Sequence, residues 1–152
     1  MSEEATDSLH LNELPTQGPL LAVDWGTKRF GIALSDPNQK LAHPIGILTR
    51  RPNRRFPLSQ LRPIIDEHRP VGILVGLPLD PDGGEGDSAK AARATADIIR
   101  KKTSLPVAMH DERMTSARVL TSMDGVPKKR RRDVDDLAAT LILQSYLDTR
   151  RS

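Results

Sequence analysis

Three acidic positions stand where carboxylates are costly to place for stability alone. Asp24 directly follows the apolar run 20–23, and a continuous run of this kind is typical of a strand buried on both faces. A carboxylate at its end is partly desolvated, which is unfavourable without a cation or hydrogen-bond partners. The simpler alternative stays open: Asp24 accepts backbone N–H bonds within its own polar turn.

Asp111 and Glu112 follow a second apolar segment, 105–110. Ligands gather beyond the carboxyl ends of parallel strands, so this pair reaches the edge that holds Asp24 if the two strands are parallel. A helix N-terminus that favours acidic residues, or a local ion pair with Arg113, explains the pair equally well. Successive residues of an extended segment point to opposite sides, so we expect only one of the two to be a direct ligand.

Asp135 lies in the segment 133–149, which has helical spacing. The i, i+3, i+4 rule groups the polar residues of this helix on one face, namely Asp133, Asp136, Thr140, Gln144 and Asp148. Asp135 falls on the opposite, apolar stripe with Ala138, Ala139, Ile142 and Tyr146. A charge on that stripe requires a partner, whereas Asp136 is expected to be solvated.

The composition indicates that the partner of these carboxylates is a hard cation. The chain has no cysteine, and its four histidines show no metal-ligand spacing. Carboxylates alone favour Mg²⁺ or Mn²⁺, which prefer oxygen ligands. Two such ions can hold the attacking and leaving oxygens of a phosphodiester. The sequence therefore points to metal-dependent hydrolysis of phosphodiester bonds.

The elements that must position these acids form one α/β domain. Strands are predicted at 20–23, 30–34, within 41–48, at 71–75 and at 105–110, and helices at 58–68, 88–102, 113–123 and 133–149. The order predicts a mixed five-stranded sheet with an antiparallel start and parallel later strands, flanked by helices. Pro44 places the third strand at an edge. Residues 1–19 are expected to be a disordered acidic tail, and 20–150 the domain.

Charge suggests a polyanionic partner. Four of the 20 acidic residues lie within the first fourteen positions, which hold no Lys or Arg, so the remaining chain carries 23 basic against 16 acidic residues. A basic body suits nucleic acid. No apolar run approaches the roughly 20 residues of a membrane span, and the polar N-terminus is unlike a signal peptide. We therefore expect a cytoplasmic protein with no membrane partner.

Four blocks of sequence resemble the YqgF family, whose members are described as pre-16S rRNA nucleases or Holliday-junction-resolvase-like proteins. The blocks are DWGTKRFGIALSD (24–36), VGLPLDPDGG (75–84), DERMTSA (111–117) and KKRRRDVDDLAATLILQSYLD (128–148). They occur in the family's order and span nearly everything from Leu20 to Asp148. The resemblance implies an RNase H-like fold and phosphodiester hydrolysis with Mg²⁺ or Mn²⁺.

The same resemblance implies roles for individual residues. The four catalytic and metal-binding residues would be Asp24, Asp111, Glu112 and Asp135. Thr115 belongs to the family's DER-T motif, while Lys28, Arg29 and Arg113 are candidates to hold the scissile phosphate. The basic run before the last helix, which a solvated linker would also explain, is a candidate nucleic-acid contact: Lys128, Lys129, Arg130, Arg131 and Arg132.

Several readings of the function stay open. Family association favours processing of the 5′ end of pre-16S rRNA, and resolution of branched DNA junctions is the alternative within the nuclease class. A non-catalytic ribosome-assembly factor that binds nucleic acid is a second alternative. An ATP-binding fold of the actin–sugar kinase kind shares the first hairpin pattern but needs two domains. The segment 76–86 is expected to be a flexible loop over the site, and the protein to be a monomer or a homodimer.

Overall fold

A computed structural model of the chain describes residues 13–26, 28–50, 56–114 and 131–151, with the side chains of Met114, of 131–136 and of Arg151 excepted. Five strands form one sheet: β1 Leu20–Asp24, β2 Arg29–Ser35, β3 Ala42–Thr49, β4 Gly72–Leu77 and β5 Val107–Asp111. Their order across the sheet is β3-β2-β1-β4-β5.

The strand directions confirm the predicted mixed sheet. β1 pairs with β2 antiparallel and with β4 parallel, and β5 continues parallel to β4. β3, which contains Pro44, pairs antiparallel with β2 and forms one edge, as predicted. Because β1, β4 and β5 are parallel, their carboxyl ends share one edge of the sheet, which is called the upper edge below.

Helices cover both faces of the sheet. The described helices are α1 Leu58–His68, α2 Asp87–Thr103 and α3 Arg131–Arg151, and a short 3₁₀ helix spans Glu112–Met114. Each of the three α-helices matches a predicted one to within two residues at either end. Of the helix predicted at 113–123, only Arg113 and Met114 are described, within the 3₁₀ helix; the remainder lies outside the described residues.

Successive side chains of β1 point to opposite faces of the sheet and so belong to two separate layers of the core. Leu21 and Val23 belong to the cluster under α1 and α2, whereas Leu20 and Ala22 belong to the cluster under α3. All four side chains are fully buried. Asp24, the next residue, therefore falls on the α3 face of a strand with no solvated side.

Gln144 docks α3 on the edge of the sheet. Its Oε1 accepts the backbone N–H of Ala42 at 2.9 Å, and its Nε2 donates to the carbonyl of Lys40 at 3.0 Å. Both groups lie at the start of β3, at the lower edge. The predicted polar face of this helix is thus partly used to bind the chain before β3.

The segment 13–19 corrects one prediction. It was expected to belong to a disordered tail, yet Leu14 is buried in the cluster under α3. Its backbone N–H donates to the hydroxyl of Tyr146, and Arg150 donates to the carbonyls of Leu14 and Pro15. A buried leucine and backbone groups bound by a helix outweigh the polar composition that suggested disorder. Residues 1–12 of the predicted tail lie outside the described residues.

Candidate functional site

The upper edge of the sheet brings together the ends of β1, β4 and β5. Val23 pairs with Val75, so Asp24 at the end of β1 falls beside Gly76 of β4. Gly76 in turn pairs with His110 of β5, and Leu77 pairs with Asp111. Strands in such a ladder lie about 4.8 Å apart. The residues that end the three strands therefore occupy neighbouring places at one edge, as the sequence predicted.

Gly76 leaves the space that the Glu112 side chain occupies. A Cβ atom on Gly76 would lie 2.7 Å from Oε1 of Glu112, 3.3 Å from its Cγ and 3.0 Å from Cδ1 of Ile142. Ile142 belongs to α3, so the Glu112 carboxylate lies on the α3 face of the sheet, the face of Asp24. Sequence reasoning missed Gly76, although a glycine inside a buried strand is a known signal of close approach.

The turn after Asp24 also depends on a close approach. A Cβ atom on Gly26 would lie 2.3 Å from the carbonyl oxygen of Arg29, so no larger residue fits there without moving the backbone. Thr27 lies outside the described residues. Beyond the turn, Lys28 is exposed and Arg29 half-buried at the start of β2. Both predicted phosphate contacts therefore lie at the edge that carries Asp24.

Arg50 lies at the same edge and was missed by sequence reasoning. Its backbone N–H donates to the carbonyl of Lys28 at 2.9 Å, just beyond the end of β3. The upper edge thus carries Lys28, Arg29 and Arg50 beside Asp24. The sequence signal for Arg50 was its position in the segment 50–55, where four of the six residues are arginine.

Asp111 and Arg113 form a local ion pair. The guanidinium contacts both carboxylate oxygens, with Nε–Oδ1 at 3.2 Å and Nη2–Oδ2 at 2.8 Å, and the backbone N–H of Arg113 donates to Oδ1 at 2.9 Å. The Arg113 hydrogen bonds hold the pKa of the Asp111 carboxyl below its usual range, and partial burial opposes this effect. The predicted phosphate contact is therefore engaged with its neighbour, which was one of the alternatives.

The loop between β4 and α2 makes hydrogen bonds of its own. The Asp80 N–H donates to the carbonyl of Gly84, and the Asp80 carbonyl accepts the N–H of Gly83, both at 2.8 Å. Oδ1 of Asp82 accepts the N–H of Gly84 at 2.8 Å. Nη1 of Arg113 donates to the carbonyl of Pro81 at 3.3 Å, which ties the loop to the end of β5. This loop, predicted to be flexible, is thus attached to the candidate site.

His110 lies between the candidate site and α3. Its Nε2 lies 3.1 Å from Oγ of Ser145, and its ring packs edge-on against Tyr146. Burial lowers the pKa of His110, and the charge of Asp111 opposes the shift. The histidine is therefore a packed, neutral group beneath the upper edge.

Asp135 has a helical position that agrees with the prediction. Ala138, Ala139 and Ile142, the residues three, four and seven places after it, are fully buried against the sheet. The apolar stripe of α3 is thus confirmed, and Asp135 continues it at the helix start. Its side chain lies outside the described part, and among the described side chains no three His, Asp or Glu residues form a group able to hold a metal ion.

The remaining predicted nucleic-acid contacts belong to the segment before α3 and to its first turn. Thr115 and the residues Lys128, Lys129 and Arg130 lie outside the described residues. Arg131 and Arg132 belong to the first turn of α3 by their backbone.

Within the described part of the chain, no helix is both long and apolar enough to cross a membrane.

Comparison with known proteins agrees with the resemblance seen in the sequence. The family model described as "RuvX: Holliday junction resolvase" matches residues 18–149. A protein of Koribacter versatilis is 43% identical over 136 residues, 88% of each chain, and one of Cereibacter sphaeroides is 39% identical over 141 residues, 91% of this chain and 88% of the other. Both carry the name "Putative pre-16S rRNA nuclease". The resemblance stated from the sequence is thereby confirmed.

Solved structures confirm the fold. The structure of Thermus thermophilus RuvC in complex with a Holliday junction substrate superposes with a TM-score of 0.55 at 10% identity, covering 89% of this chain and 96% of that one. A second structure of Thermus thermophilus RuvC gives a TM-score of 0.53 at 11% identity. This likeness identifies the RNase H-like fold.

Proposed function

The chain belongs to the family described as "RuvX: Holliday junction resolvase", and we propose that it is a divalent-metal-dependent nuclease that hydrolyses phosphodiester bonds at the upper edge of its sheet. One observation carries the proposal. Glu112 extends its carboxylate over Gly76, the residue beside Asp24 on the neighbouring strand. Two carboxylates on one face, at the ends of neighbouring buried strands, offer a divalent cation oxygen ligands from two separate segments of the chain.

The donor set fits Mg²⁺ or Mn²⁺. Asp24 and Glu112 supply oxygen ligands, which these ions prefer, and the missing side chain of Gly76 leaves room for the Glu112 carboxylate. Asp135 continues the sheet-facing stripe of α3 and is the third proposed ligand. When bound, the ion would activate a water molecule and stabilise the charge that develops on the scissile phosphate.

The remaining residues of the edge bind the substrate. Lys28 and Arg29 lie on the turn that follows Asp24, so a phosphate beside the acidic residues is within their reach. Arginine offers two parallel N–H groups to a phosphate and lysine a single charge. We assign the same role to Thr115 and to the run Lys128, Lys129, Arg130, Arg131 and Arg132.

The preferred substrate is the precursor of 16S rRNA, cut at its 5′ end. The curated relatives support this choice through their name, and they are 34–43% identical to this chain. An rRNA substrate places the protein in the cytoplasm. A branched DNA junction is the second candidate, favoured by the description of the family model and by the fold shared with RuvC.

Cleavage assays decide between these candidates. Labelled precursor rRNA and a four-way DNA junction are incubated with Mg²⁺, Mn²⁺ or EDTA, with the wild type, Asp24→Asn and Glu112→Gln. We expect metal-dependent cutting of the rRNA and its loss in both variants. Cutting of the junction alone would move the proposal to a resolvase. Tight binding of rRNA without any cutting would leave a non-catalytic assembly factor and contradict the nuclease.

A further inference from the structure

Asp111 and Glu112 leave β5 on opposite faces of the sheet. Val107 packs in the cluster under α1 and α2, with Met109 against it, whereas Ala108 belongs to the cluster under α3. The alternation puts Asp111 on the α1/α2 side. The Glu112 carboxylate instead reaches the α3 face, where its Oε1 meets the space above Gly76. Of the two, only Glu112 shares a face with Asp24.

The Asp111 carboxylate is engaged by Arg113. Its oxygens accept the backbone N–H of Arg113 and contacts from Nε and Nη2, all at 2.8–3.2 Å. The backbone bond, from a residue two places later, forms an Asx turn at the start of the 3₁₀ helix. To bind a metal, Asp111 would have to give up a two-pronged arginine contact, the stronger kind of ion pair.

Arg113 also fastens the loop beside the site. Its Nη1 donates to the carbonyl of Pro81 and lies 3.4 Å from where a Cβ atom on Gly83 would be. One guanidinium thus connects the end of β5 with the loop that follows β4. The turn that carries Glu112 is held from both sides.

We propose that Asp111 and Arg113 are positioning residues, whose ion pair fixes the turn after β5 so that the Glu112 carboxylate is held over Gly76 beside Asp24. This inference rests on the proposed metal site for its functional consequence. Its structural consequence is independent of metal. Without the pair, the 3₁₀ turn loses its anchor and Glu112 no longer has a fixed position above Gly76.

The first experiment needs no metal. Glu112 Cγ lies 3.3 Å from where a Gly76 Cβ would be, so its hydrogens are within range of a nuclear Overhauser effect to the Gly76 Hα atoms. We expect this signal in the metal-free wild type and its loss in Asp111→Asn and Arg113→Gln. Arg113→Lys, which keeps one charged donor, should retain part of it. Persistence of the full signal in Asp111→Asn and Arg113→Gln would overturn the proposal.

The second experiment measures Mn²⁺ affinity by calorimetry. Loss of a residue that orients a metal ligand weakens binding by about 10- to 100-fold, so Asp111→Asn and Arg113→Gln should each lose that much. Because both residues act through one ion pair, the double variant should lose no more Mn²⁺ affinity than the single variant that binds Mn²⁺ less tightly. Additive losses, or a loss in Asp111→Asn that matches Glu112→Gln while Arg113→Gln binds normally, would make Asp111 a ligand and overturn the proposal.

A matched control lies at the other end of the loop. Glu85 and Arg93 form a second two-pronged ion pair, with Nε–Oε1 at 2.7 Å and Nη2–Oε2 at 2.8 Å. Arg93→Gln should therefore keep both the Glu112–Gly76 signal and the Mn²⁺ affinity; loss of either would show a general effect of the loop and contradict the assignment. If the wild type shows the signal but binds no Mn²⁺, the proposed metal site fails while the positioning role stands.

Discussion

The Glu112 carboxylate occupies the space that a side chain on Gly76 would fill, with Oε1 2.7 Å from the place of the missing Cβ atom. Gly76 pairs with His110 of β5 on one side and lies beside Asp24 of β1 on the other. The absence of a side chain on Gly76 lets the carboxylate at the end of β1 and the one in the 3₁₀ helix after β5 lie on one face of the sheet. Gly76 has no reactive group, yet the position of the Glu112 carboxylate in the candidate site depends on it.

Gly76→Ala should separate activity from stability. The new methyl group meets the flexible end of Glu112 and Cδ1 of Ile142, so we expect the glutamate to move and cleavage to fall about 10- to 100-fold. Overpacking should cost about 1–3 kcal/mol of the free energy of unfolding. Cleavage rates and urea unfolding measure the two effects.

Gly72→Ala is the control for that variant. Gly72 lies on the same face of β4, four residues earlier, and its Cβ atom would lie 3.1 Å from Cδ2 of Leu14. The variant should lose similar stability and cleave at the wild-type rate. Equal cleavage by both alanine variants would show that the placement of Glu112 over Gly76 has no catalytic importance.

The sequence predicted the frame of the site for clear physical reasons. Apolar runs identified β1 and β4, and helical spacing identified the buried stripe of Ala138, Ala139 and Ile142. Parallel strands then put the ends of β1 and β5 at one edge. These inferences needed only local periodicity and the general rule for parallel sheets.

Contacts between distant segments were not predictable in the same way. The contact between Glu112 and Gly76 depends on which residues of the neighbouring strands are paired. Whether Arg113 binds Asp111 or a phosphate depends on the position of the loop that contains Pro81. Residues 13–19 looked disordered because their composition is polar. Their order comes from groups far along the chain, such as the hydroxyl of Tyr146, 132 residues after Leu14.

Asp135→Asn should abolish cleavage while Asp136→Asn leaves it intact. Asp135 continues the buried stripe of α3, whereas Asp136 shares a row with Thr140 and Gln144. A direct metal ligand should cost more than the about 100-fold assigned to an orienting residue. Single-turnover cleavage of the labelled substrate measures both. A reversed order of the two effects would assign the ligand to Asp136.

Charge removal at the upper edge should flatten the salt dependence of binding. Lys28→Ser and Arg29→Ser should each lower the slope of log affinity against log salt by about 0.7–0.9, the contribution of one phosphate contact. Filter binding in EDTA measures the slope without cleavage. Lys40→Ser is the control because Lys40 lies on the turn between β2 and β3, at the lower edge. A slope lowered equally by Lys40→Ser would remove the assignment to the upper edge.

His110 should make stability depend on pH below neutrality. Burial lowers its pKa from 6.5, with the Asp111 charge opposing, so the unfolded chain takes up a proton at a higher pH than the folded one. The free energy of unfolding should therefore decrease as pH falls from 6.5 to the folded pKa, and then level off. The lowered pKa of Asp111 adds its own loss only below 3.8.

Urea unfolding across that pH range tests the histidine. His110→Asn should flatten the decrease below pH 6.5, because the variant lacks the histidine whose burial lowers its pKa. His43→Asn, which replaces an exposed histidine on β3, is the matched control for the loss of one imidazole. An unchanged profile in His110→Asn would attribute the dependence to other groups.

Leu14→Ala should show that the segment before β1 is part of the domain. The Leu14 side chain is 3% exposed within the cluster under α3, and replacing a buried leucine by alanine costs about 2–5 kcal/mol. Leu41, which is 69% exposed, is the matched control, and Leu41→Ala should stay within about 0.5 kcal/mol of the wild type. Urea unfolding measures both variants. If Leu14→Ala were as stable as Leu41→Ala, the segment 13–19 would contribute nothing to the core, and the predicted disordered tail would extend to residue 19.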